Sequence, residues 1–281
     1  MFEMTVAGQT DPGRARKNNE DAFFIEEPLL LVADGMGGAA AGEIASSLAI
    51  DVISSSLKDI SYTSDEEIIN NMEQAIFKAD SEIKAQTKKD PDIKGMGTTL
   101  VTAIHLDDRL LIGHVGDSRA YIISQNISEA PAAQKDAPKL DSSAETAVLQ
   151  KFTDDHKPSE EKDKESIRRI TQDHSVVMDL VQSGVILEDE IRTHPLRNRI
   201  TRCVGNFVGP GPEFVWHDLS NNETLIICSD GLWEMVYDEL IFAIVKSSKN
   251  PEEMCKRLID AANEKGGADN ITVIAANFIQ K

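Results

Sequence analysis

The stretch Leu29-Leu30-Leu31-Val32-Ala33-Asp34-Gly35-Met36-Gly37-Gly38 decides the fold. Its first five residues are apolar and predict a buried strand. The strand ends at the carboxylate of Asp34, and the glycines behind it allow the chain to turn sharply. The sequence therefore predicts an acidic side chain at the tip of a buried strand.

Acidic residues also lie at the start or end of four further apolar segments. A single Asp-Gly pair usually marks a turn, because Asp caps the local backbone and Gly accepts a positive φ. Five such acids folded together would repel one another unless a cation neutralised them. The recurrence therefore indicates a metal site. The four segments are Asn19-Glu20-Asp21 before residues 22–25, Gly116-Asp117 after 110–115, Ser229-Asp230-Gly231 after 225–228, and Asp269-Asn270 before 271–276.

The types of candidate ligand indicate which metal would bind. The three cysteines, Cys203, Cys228 and Cys255, share no short spacing, and the six histidines do not pair at ligand spacings. Zinc and copper sites are therefore not expected. Oxygen ligands alone suit Mg²⁺ or Mn²⁺. Two such ions about 4 Å apart, sharing a carboxylate, activate a water for displacement at phosphorus.

At these residues the chain resembles the metal-dependent protein phosphatases, the type 2C serine/threonine family, and specifically its bacterial branch. Nine segments follow the order of the family and span nearly the whole chain. They are Arg16-Lys17-Asn18-Asn19-Glu20-Asp21, Asp34-Gly35-Met36-Gly37-Gly38, Gly95-Met96-Gly97-Thr98-Thr99, Gly116-Asp117-Ser118-Arg119, Thr171-Gln172-Asp173-His174-Ser175, His194-Pro195-Leu196-Arg197-Asn198, Ile200-Thr201-Arg202, Ser229-Asp230-Gly231 and Asp269-Asn270.

The resemblance assigns the metal ligands. It implies that Asp34 bridges two metals, which would be Mn²⁺ or Mg²⁺, and that the carbonyl of Gly35 binds the first. Asp230 and Asp269 resemble the ligands of the second metal.

The resemblance also assigns residues around the two ions. Glu20 and Asp21 match residues that hold metal-bound waters, and Asp117 matches a third-metal ligand. Glu234 stands where the family often has Asp as a further third-metal ligand, and it is a weaker candidate because its side chain is longer.

Two positions bear on the substrate. Arg16 matches the arginine that grips the substrate phosphate, a role that a permanently charged guanidinium fork suits. Met36 replaces the histidine that many eukaryotic members carry after Asp-Gly, so a water must protonate the leaving group. The implied reaction is direct hydrolysis of phosphoserine or phosphothreonine by a water that bridges the two metals.

Three functional hypotheses are open at this point. The first is a phosphoprotein phosphatase that acts on the substrates of a serine/threonine kinase. The second is a catalytically inactive homologue that binds phosphoproteins. The third is a phosphatase of small phosphoesters, or of phosphodiesters, which the dinuclear site alone does not separate from the first.

Composition excludes other classes of protein. The formal charge of −19 is unfavourable for binding to nucleic acid, which depends on clustered Lys and Arg. No apolar run is long enough to span a membrane, and the N-terminus lacks the pattern of a signal peptide. These features, with the unclustered cysteines, lead us to expect a cytoplasmic protein without disulfides.

Hydrophobic patterns predict an α+β fold, and the family resemblance implies a single phosphatase domain over residues 1–281. Strands are expected at about 21–25, 29–33, 98–105, 110–115, 119–123, 213–217, 224–228 and 271–277, and helices at 42–57, 65–84, 238–245 and 251–263. Strands in clusters and helices in pairs favour layers over strict β-α alternation. The family resemblance implies a four-layer αββα sandwich of two antiparallel sheets flanked by helices.

Two segments are expected outside the sandwich core. Residues 176–205 resemble the flap of the family, with a short helix from Val176 to Ser183. We expect Arg202 to hold this flap in place, whereas Arg197 and Arg199 can either contact substrate or pin the flap. Residues 124–164 lack hydrophobic periodicity and are expected to form a disordered insertion.

Overall fold

The computed structural model describes residues 1–37, 41–58, 64–124, 166–207 and 209–281. Gly38 and the predicted disordered insertion lie outside these residues, apart from Ser124, which ends a strand. The strands are β1 (Phe2–Asp11), β2 (Asp21–Glu26), β3 (Leu29–Met36), β4 (Gly97–Thr98), β5 (Leu100–Leu106), β6 (Arg109–Val115), β7 (Arg119–Ser124), β8 (Ser166–Arg169), β9 (Glu213–Asp218), β10 (Glu223–Cys228) and β11 (Ile271–Gln280). The α-helices are α1 (Ala41–Leu57), α2 (Asp65–Lys89), α3 (Val176–Gln182), α4 (Asp230–Trp233), α5 (Asp238–Ser247) and α6 (Pro251–Glu264).

The strands form two antiparallel sheets. The first sheet has the order β1-β11-β10-β7-β8, and the second has the order β2-β3-β5-β6-β9, with β4 paired to β3. Strands β2 and β3 pair so that Asp21 lies opposite Asp34. The register of this hairpin thus brings two of the predicted acids to one end of the second sheet.

The uninterrupted apolar run of β3 is buried on both faces. Leu29, Leu31 and Ala33 pack in the core with α1 and α2, whereas Leu30 and Val32 pack in the core between the two sheets. Alternate residues of a strand point to opposite faces, so a strand in an inner layer needs apolar residues at every position. This requirement accounts for the pattern quoted at the start.

Strand β10 has the same double burial in the other sheet. Ile226 and Cys228 pack in the core with α5 and α6, whereas Leu225 and Ile227 face the second sheet. The layers therefore run helix, sheet, sheet, helix. The predicted αββα sandwich is confirmed.

A break at Thr99 divides the strand predicted over 98–105 into β4 and β5. The Thr99 amide donates to the Asp34 carbonyl at 2.9 Å, and the Asp34 amide donates to Thr99 Oγ1 at 3.0 Å. The chain leaves the regular ladder here because Thr99 bonds the backbone of Asp34. These two hydrogen bonds hold the end of β3 at Asp34.

Two strands were absent from the sequence prediction, and both lie at a sheet edge. β1 pairs with β11 along its full length from Phe2 to Asp11, and β8 pairs with the end of β7. In the flap (176–205), the expected helix is α3, followed by a 3₁₀ helix over Glu188–Thr193. None of the helices in the described residues is long and apolar enough to cross a membrane.

Candidate active site

The predicted acids converge on one cavity at the end of the sandwich. The cavity has a volume of about 250 Å³. Its walls include Arg16, Glu20, Asp34, Gly35, Asp117, Asp230 and Asp269, together with Met36, Thr99, Asn198 and Ile200. Of the remaining predicted residues, Asp21 pairs with Asp34 across the β2–β3 hairpin and has its Oδ1 atom buried, and Glu234 directly follows α4, which begins at Asp230.

Gly35 allows the chain to pass very close to its neighbours beside Asp34. Its amide donates to the Glu20 carbonyl at 3.1 Å. A Cβ atom at Gly35 would collide with the carbonyl oxygens of Gly42 and Glu20. Only glycine fits here, and it brings the start of α1 against the end of β3.

Asn270 joins the N-terminal acidic loop to the end of the chain that carries Asp269. Its Oδ1 atom accepts from the Glu20 amide at 2.8 Å, and its Nδ2 group donates to the carbonyls of Pro12 and Asn18 at 3.0 and 2.9 Å. The Asn270 amide in turn donates to Asp269 Oδ1 at 2.8 Å. In the sequence, Asn270 is visible only as part of the Asp269-Asn270 motif. These contacts show that it positions the loop that carries Glu20 beside Asp269.

Ser229 plays a similar part for Asp21. Its hydroxyl donates to Asp21 Oδ2 at 2.8 Å and accepts from the Thr272 amide at 3.0 Å. Both Ser229 and Thr272 are fully buried. Asp21 therefore keeps Oδ2 in a fixed hydrogen bond, whereas its Oδ1 has no partner within the described part of the chain.

The cavity disfavours ionised carboxylates in the absence of a cation. Burial raises the pKa of Asp34 and of Asp230 well above the ordinary value, and the neighbouring carboxylates raise both further. Burial likewise raises the pKa of Asp21 to about 6 and that of Asp117 to about 7. Bound cations would reverse this effect, because a nearby positive charge favours the ionised form.

The donor atoms present fit hard divalent cations. Asp21 Oδ1 and Asp230 Oδ1 are buried and have no hydrogen-bond partner among the residues that the structure describes, which is unusual for carboxylate oxygens in a folded protein. All candidate ligands around the cavity offer oxygen, the atom that Mg²⁺ and Mn²⁺ prefer. The residues therefore suit the ions that the sequence predicted.

Arg16 lies at the rim of the cavity and pairs with Asp269. Its Nη2 atom is 2.7 Å from Asp269 Oδ2, and the two side chains are 51% and 32% exposed. Partial burial opposes the charge on Arg16, but Asp269 outweighs it and raises the pKa of the guanidinium. Because exposed ion pairs contribute little stability, the guanidinium can exchange this partner for a phosphoryl group.

A second group of possible ligands lies under the flap (176–205). His114, His174 and Glu213 each place one ligand atom within 4.8 Å of the others. However, Arg202 Nη1 donates to Glu213 Oε1 at 2.6 Å and lies 3.1 Å from His174 Nε2. A positive charge already neutralises Glu213, so this group anchors the flap, as expected for Arg202.

Comparisons with known proteins identify the family of the chain. The sequence profile of the family described as Protein phosphatase 2C matches residues 14–271. The serine/threonine phosphatase stp of Listeria innocua is 31% identical over 289 residues, covering 97% of this chain and 96% of that protein.

Two solved structures match over nearly their full length. The crystal structure of the Mycobacterium tuberculosis serine/threonine phosphatase PstP/Ppp has a TM-score of 0.78 and 31% identity, covering 99% of each chain. The catalytic domain of the serine/threonine protein phosphatase PstP in complex with two manganese ions has a TM-score of 0.77 and 29% identity, covering 100% of each chain. With the family match over most of its length, the chain belongs to the protein phosphatase 2C family.

Proposed function

We propose that this chain is a serine/threonine phosphoprotein phosphatase that hydrolyses its substrate directly with two Mn²⁺ or Mg²⁺ ions. The single observation that carries the proposal is the cavity in which Asp34, Gly35, Asp230 and Asp269 meet, with Arg16 at its rim. The two manganese ions in the PstP structure support the choice of metal. We further propose that residues 1–281 act as one phosphatase domain.

Four residues would supply the ligands of the two ions. Asp34 would hold both ions, the carbonyl of Gly35 would hold the first, and Asp230 and Asp269 would hold the second. When bound, the ions supply the positive charge that lowers the pKa of water and stabilises the transition state at phosphorus. The raised pKa values of Asp34 and Asp230 support this arrangement, because those carboxylates need a cation to ionise fully.

Four acids surround the two central sites. Glu20 and Asp21 would accept hydrogen bonds from metal-bound waters, and the Oδ1 of Asp21, which has no partner among the described residues, supports this role. Asp117 and Glu234 contribute to a third site. Glu234 raises the pKa of both Asp117 and Asp230, which supports its closeness to them.

Arg16 binds the phosphoryl group and positions it in the cavity. Its guanidinium fork donates two parallel hydrogen bonds to phosphoryl oxygens, a geometry that Lys does not offer. Met36 lines the same cavity and has no proton to donate, so a water protonates the departing serine or threonine oxygen. Asn198 and Ile200 line the cavity from the flap (176–205), where they meet the protein part of the substrate.

The substrates are phosphoproteins, and we propose that a serine/threonine kinase produces them in the cytoplasm. Neither nucleic acid nor a membrane is a partner in this proposal. The alternative of an inactive phosphoprotein-binding homologue is unfavourable, because the acids and Arg16 are all present around the cavity. A phosphatase of small phosphoesters would instead release phosphate from p-nitrophenyl phosphate and not from the phosphopeptide.

The test measures phosphate release from a phosphothreonine peptide and from p-nitrophenyl phosphate, with Mn²⁺, Mg²⁺ or excess chelator. We expect metal-dependent release from the peptide and none in chelator. Asp34→Asn should lose about 100-fold or more in kcat, whereas Asp51→Asn, on the exposed surface of α1, should keep the activity of the unaltered protein. Near-normal activity of Asp34→Asn at saturating Mn²⁺ would remove Asp34 from the bridging position.

A further inference from the structure

The turn that carries Asp117 is held from two sides. Gly116 has a φ of +98°, a conformation that glycine adopts readily, and a Cβ atom there would lie 2.7 Å from Thr99 Cγ2. On one side, Trp233 Nε1 donates to the Asp117 carbonyl at 2.9 Å. On the other side, Thr99 Oγ1 and Ser118 Oγ share a hydrogen bond at 2.7 Å, and the contacts to Gly116 itself come from His174.

His174 contacts Gly116 through both its backbone and its ring. The His174 amide donates to the Gly116 carbonyl at 2.8 Å, and the Gly116 amide donates to His174 Nδ1 at 3.1 Å. Both residues are almost fully buried. The ring therefore supplies the only partner found among the described residues for a buried amide beside Asp117, and its loss would leave that amide unsatisfied.

The acceptor role of Nδ1 determines the tautomer of the ring. A neutral histidine has one donor and one acceptor nitrogen, so Nε2 must carry the proton. That proton faces Glu213 Oε1 at 3.2 Å, and the same oxygen accepts from Arg202 Nη1. Burial, and then Arg202, lower the pKa of His174, so the ring is neutral near pH 7.

Further contacts fix the orientation of the ring. It stacks on His114 with 4.7 Å between ring centroids and 21° between planes. The His174 carbonyl also accepts from the amide of Thr201, next to Arg202 at the end of the flap (176–205). The ring therefore joins three parts of the molecule: strands β6 and β9, the end of the flap, and the Asp117 turn.

We propose that His174 is a positioning residue for phosphoryl hydrolysis: its Nδ1 lone pair holds the Gly116-Asp117 turn, Glu213 accepts the Nε2 proton of the tautomer that this requires, and Arg202 holds Glu213 in place. The inference rests on the proposed function, in which Asp117 serves the third metal. It adds a residue that touches neither metal nor substrate. Partners of this kind typically change metal affinity or activity by about 10- to 100-fold when removed.

Two substitutions of similar size separate positioning from bulk packing. In His174→Asn the amide oxygen reaches about as far from the backbone as Nδ1, so it can still accept from Gly116. In His174→Gln the polar group extends towards Nε2 and leaves the Gly116 amide without an acceptor. Both variants lose the stacking on His114, so a purely structural role predicts equal effects.

The assay compares kcat and KM on a phosphothreonine peptide with Mn²⁺, together with Tm and calorimetric Mn²⁺ binding. We expect His174→Gln to lose about tenfold or more in kcat with KM within about threefold, and His174→Asn to stay within about threefold in both. The two tight Mn²⁺ sites should be the same in both, whereas Tm should fall further in His174→Gln, because only that variant leaves the buried Gly116 amide without an acceptor. Equal activity of the two variants would overturn the inference.

A measurement on the unaltered protein tests the inference even if the variants fail to fold. Long-range ¹H–¹⁵N correlation of the imidazole should show the proton of His174 on Nε2 and an acceptor nitrogen at Nδ1. The opposite tautomer would overturn the positioning role whatever the variants do. If the unaltered protein released no phosphate with either metal, the proposed function would fail, and the tautomer would still decide whether the contact exists.

Discussion

Replacing Asp21 by Asn should stabilise the metal-free protein at alkaline pH. The pKa of Asp21 rises from 3.8 to about 6 because its carboxyl is buried among other acids. Each tenfold change in a protonation equilibrium corresponds to about 1.4 kcal/mol, so holding Asp21 ionised in the folded state costs about 3 kcal/mol. Asn removes this cost, and its oxygen can still accept from the Ser229 hydroxyl.

The direction of the pH dependence follows from the raised pKa. The folded state keeps the proton of Asp21 up to about pH 6, whereas the unfolded state releases it near pH 3.8. The unaltered protein therefore loses stability relative to Asp21→Asn as pH rises from about 4 to 6, and above pH 6 the difference is constant. At pH 4.5 we expect at most about 1 kcal/mol in favour of the variant, and at pH 8 about 2–3 kcal/mol.

Urea unfolding in excess chelator at pH 4.5 and pH 8 measures both values. Asp51→Asn removes the same charge from the exposed surface of α1 and serves as the control, with almost no change at either pH. Saturating Mn²⁺ at pH 8 should reduce the advantage of Asp21→Asn, because the cations then stabilise the ionised carboxylates. An equal effect at both pH values, or a less stable variant at pH 8, would refute the picture of mutually repelling buried acids.

Three further changes probe other parts of the site. Arg16→Ala should raise KM for a phosphopeptide about tenfold or more and leave Mn²⁺ affinity unchanged. Arg14→Ala removes another exposed arginine and should leave KM unchanged. An unchanged kcat/KM in Arg16→Ala would remove Arg16 from the site. Asp117→Ala should keep both central Mn²⁺ sites by calorimetry and lose about tenfold or more in kcat, and an ordinary kcat would mean that Asp117 only forms a turn. Replacing residues 127–163 by a short Gly-Ser linker should preserve folding and hydrolysis of p-nitrophenyl phosphate. Ser124 and Ser166 are paired across β7 and β8, so a short linker can connect them. A variant that does not fold would contradict this prediction.

The layers of the fold were predictable because an inner strand requires apolar residues on both faces. β3 and β10 have this pattern, and the acids at their ends stand out against it. The same contrast predicted the cavity, since acids at the ends of neighbouring strands meet at one end of a sandwich.

The two edge strands of the first sheet, β1 and β8, were not predicted because their side chains are only partly buried. Most residues of β1 are half-buried or exposed, and its polar Thr and Gln residues weaken the hydrophobic alternation. β8 is four residues long and has no continuous apolar pattern. Their pairing depends on partners far along the chain, which local patterns do not report.

The residues that position the acids were missed for a related reason. Ser229 and Asn270 are residue types that are common in turns, and the acidic residues that they contact, Asp21 and Glu20, lie more than 200 residues away in the sequence. Thr99 interrupts a strand only because it bonds Asp34. His174 occurs in a motif that the resemblance singled out, but its acceptor role becomes visible only with Gly116 beside it.

The central claim is that the acids of the cavity hold two catalytic ions. Anomalous diffraction at the manganese edge, from crystals grown with Mn²⁺, tests it most directly. We predict two strong peaks about 4 Å apart, with Asp34 between them, Gly35 on one side and Asp230 and Asp269 on the other. Absence of the pair from this cavity, or a strong peak beside His114, His174 and Glu213 in its place, would contradict the account.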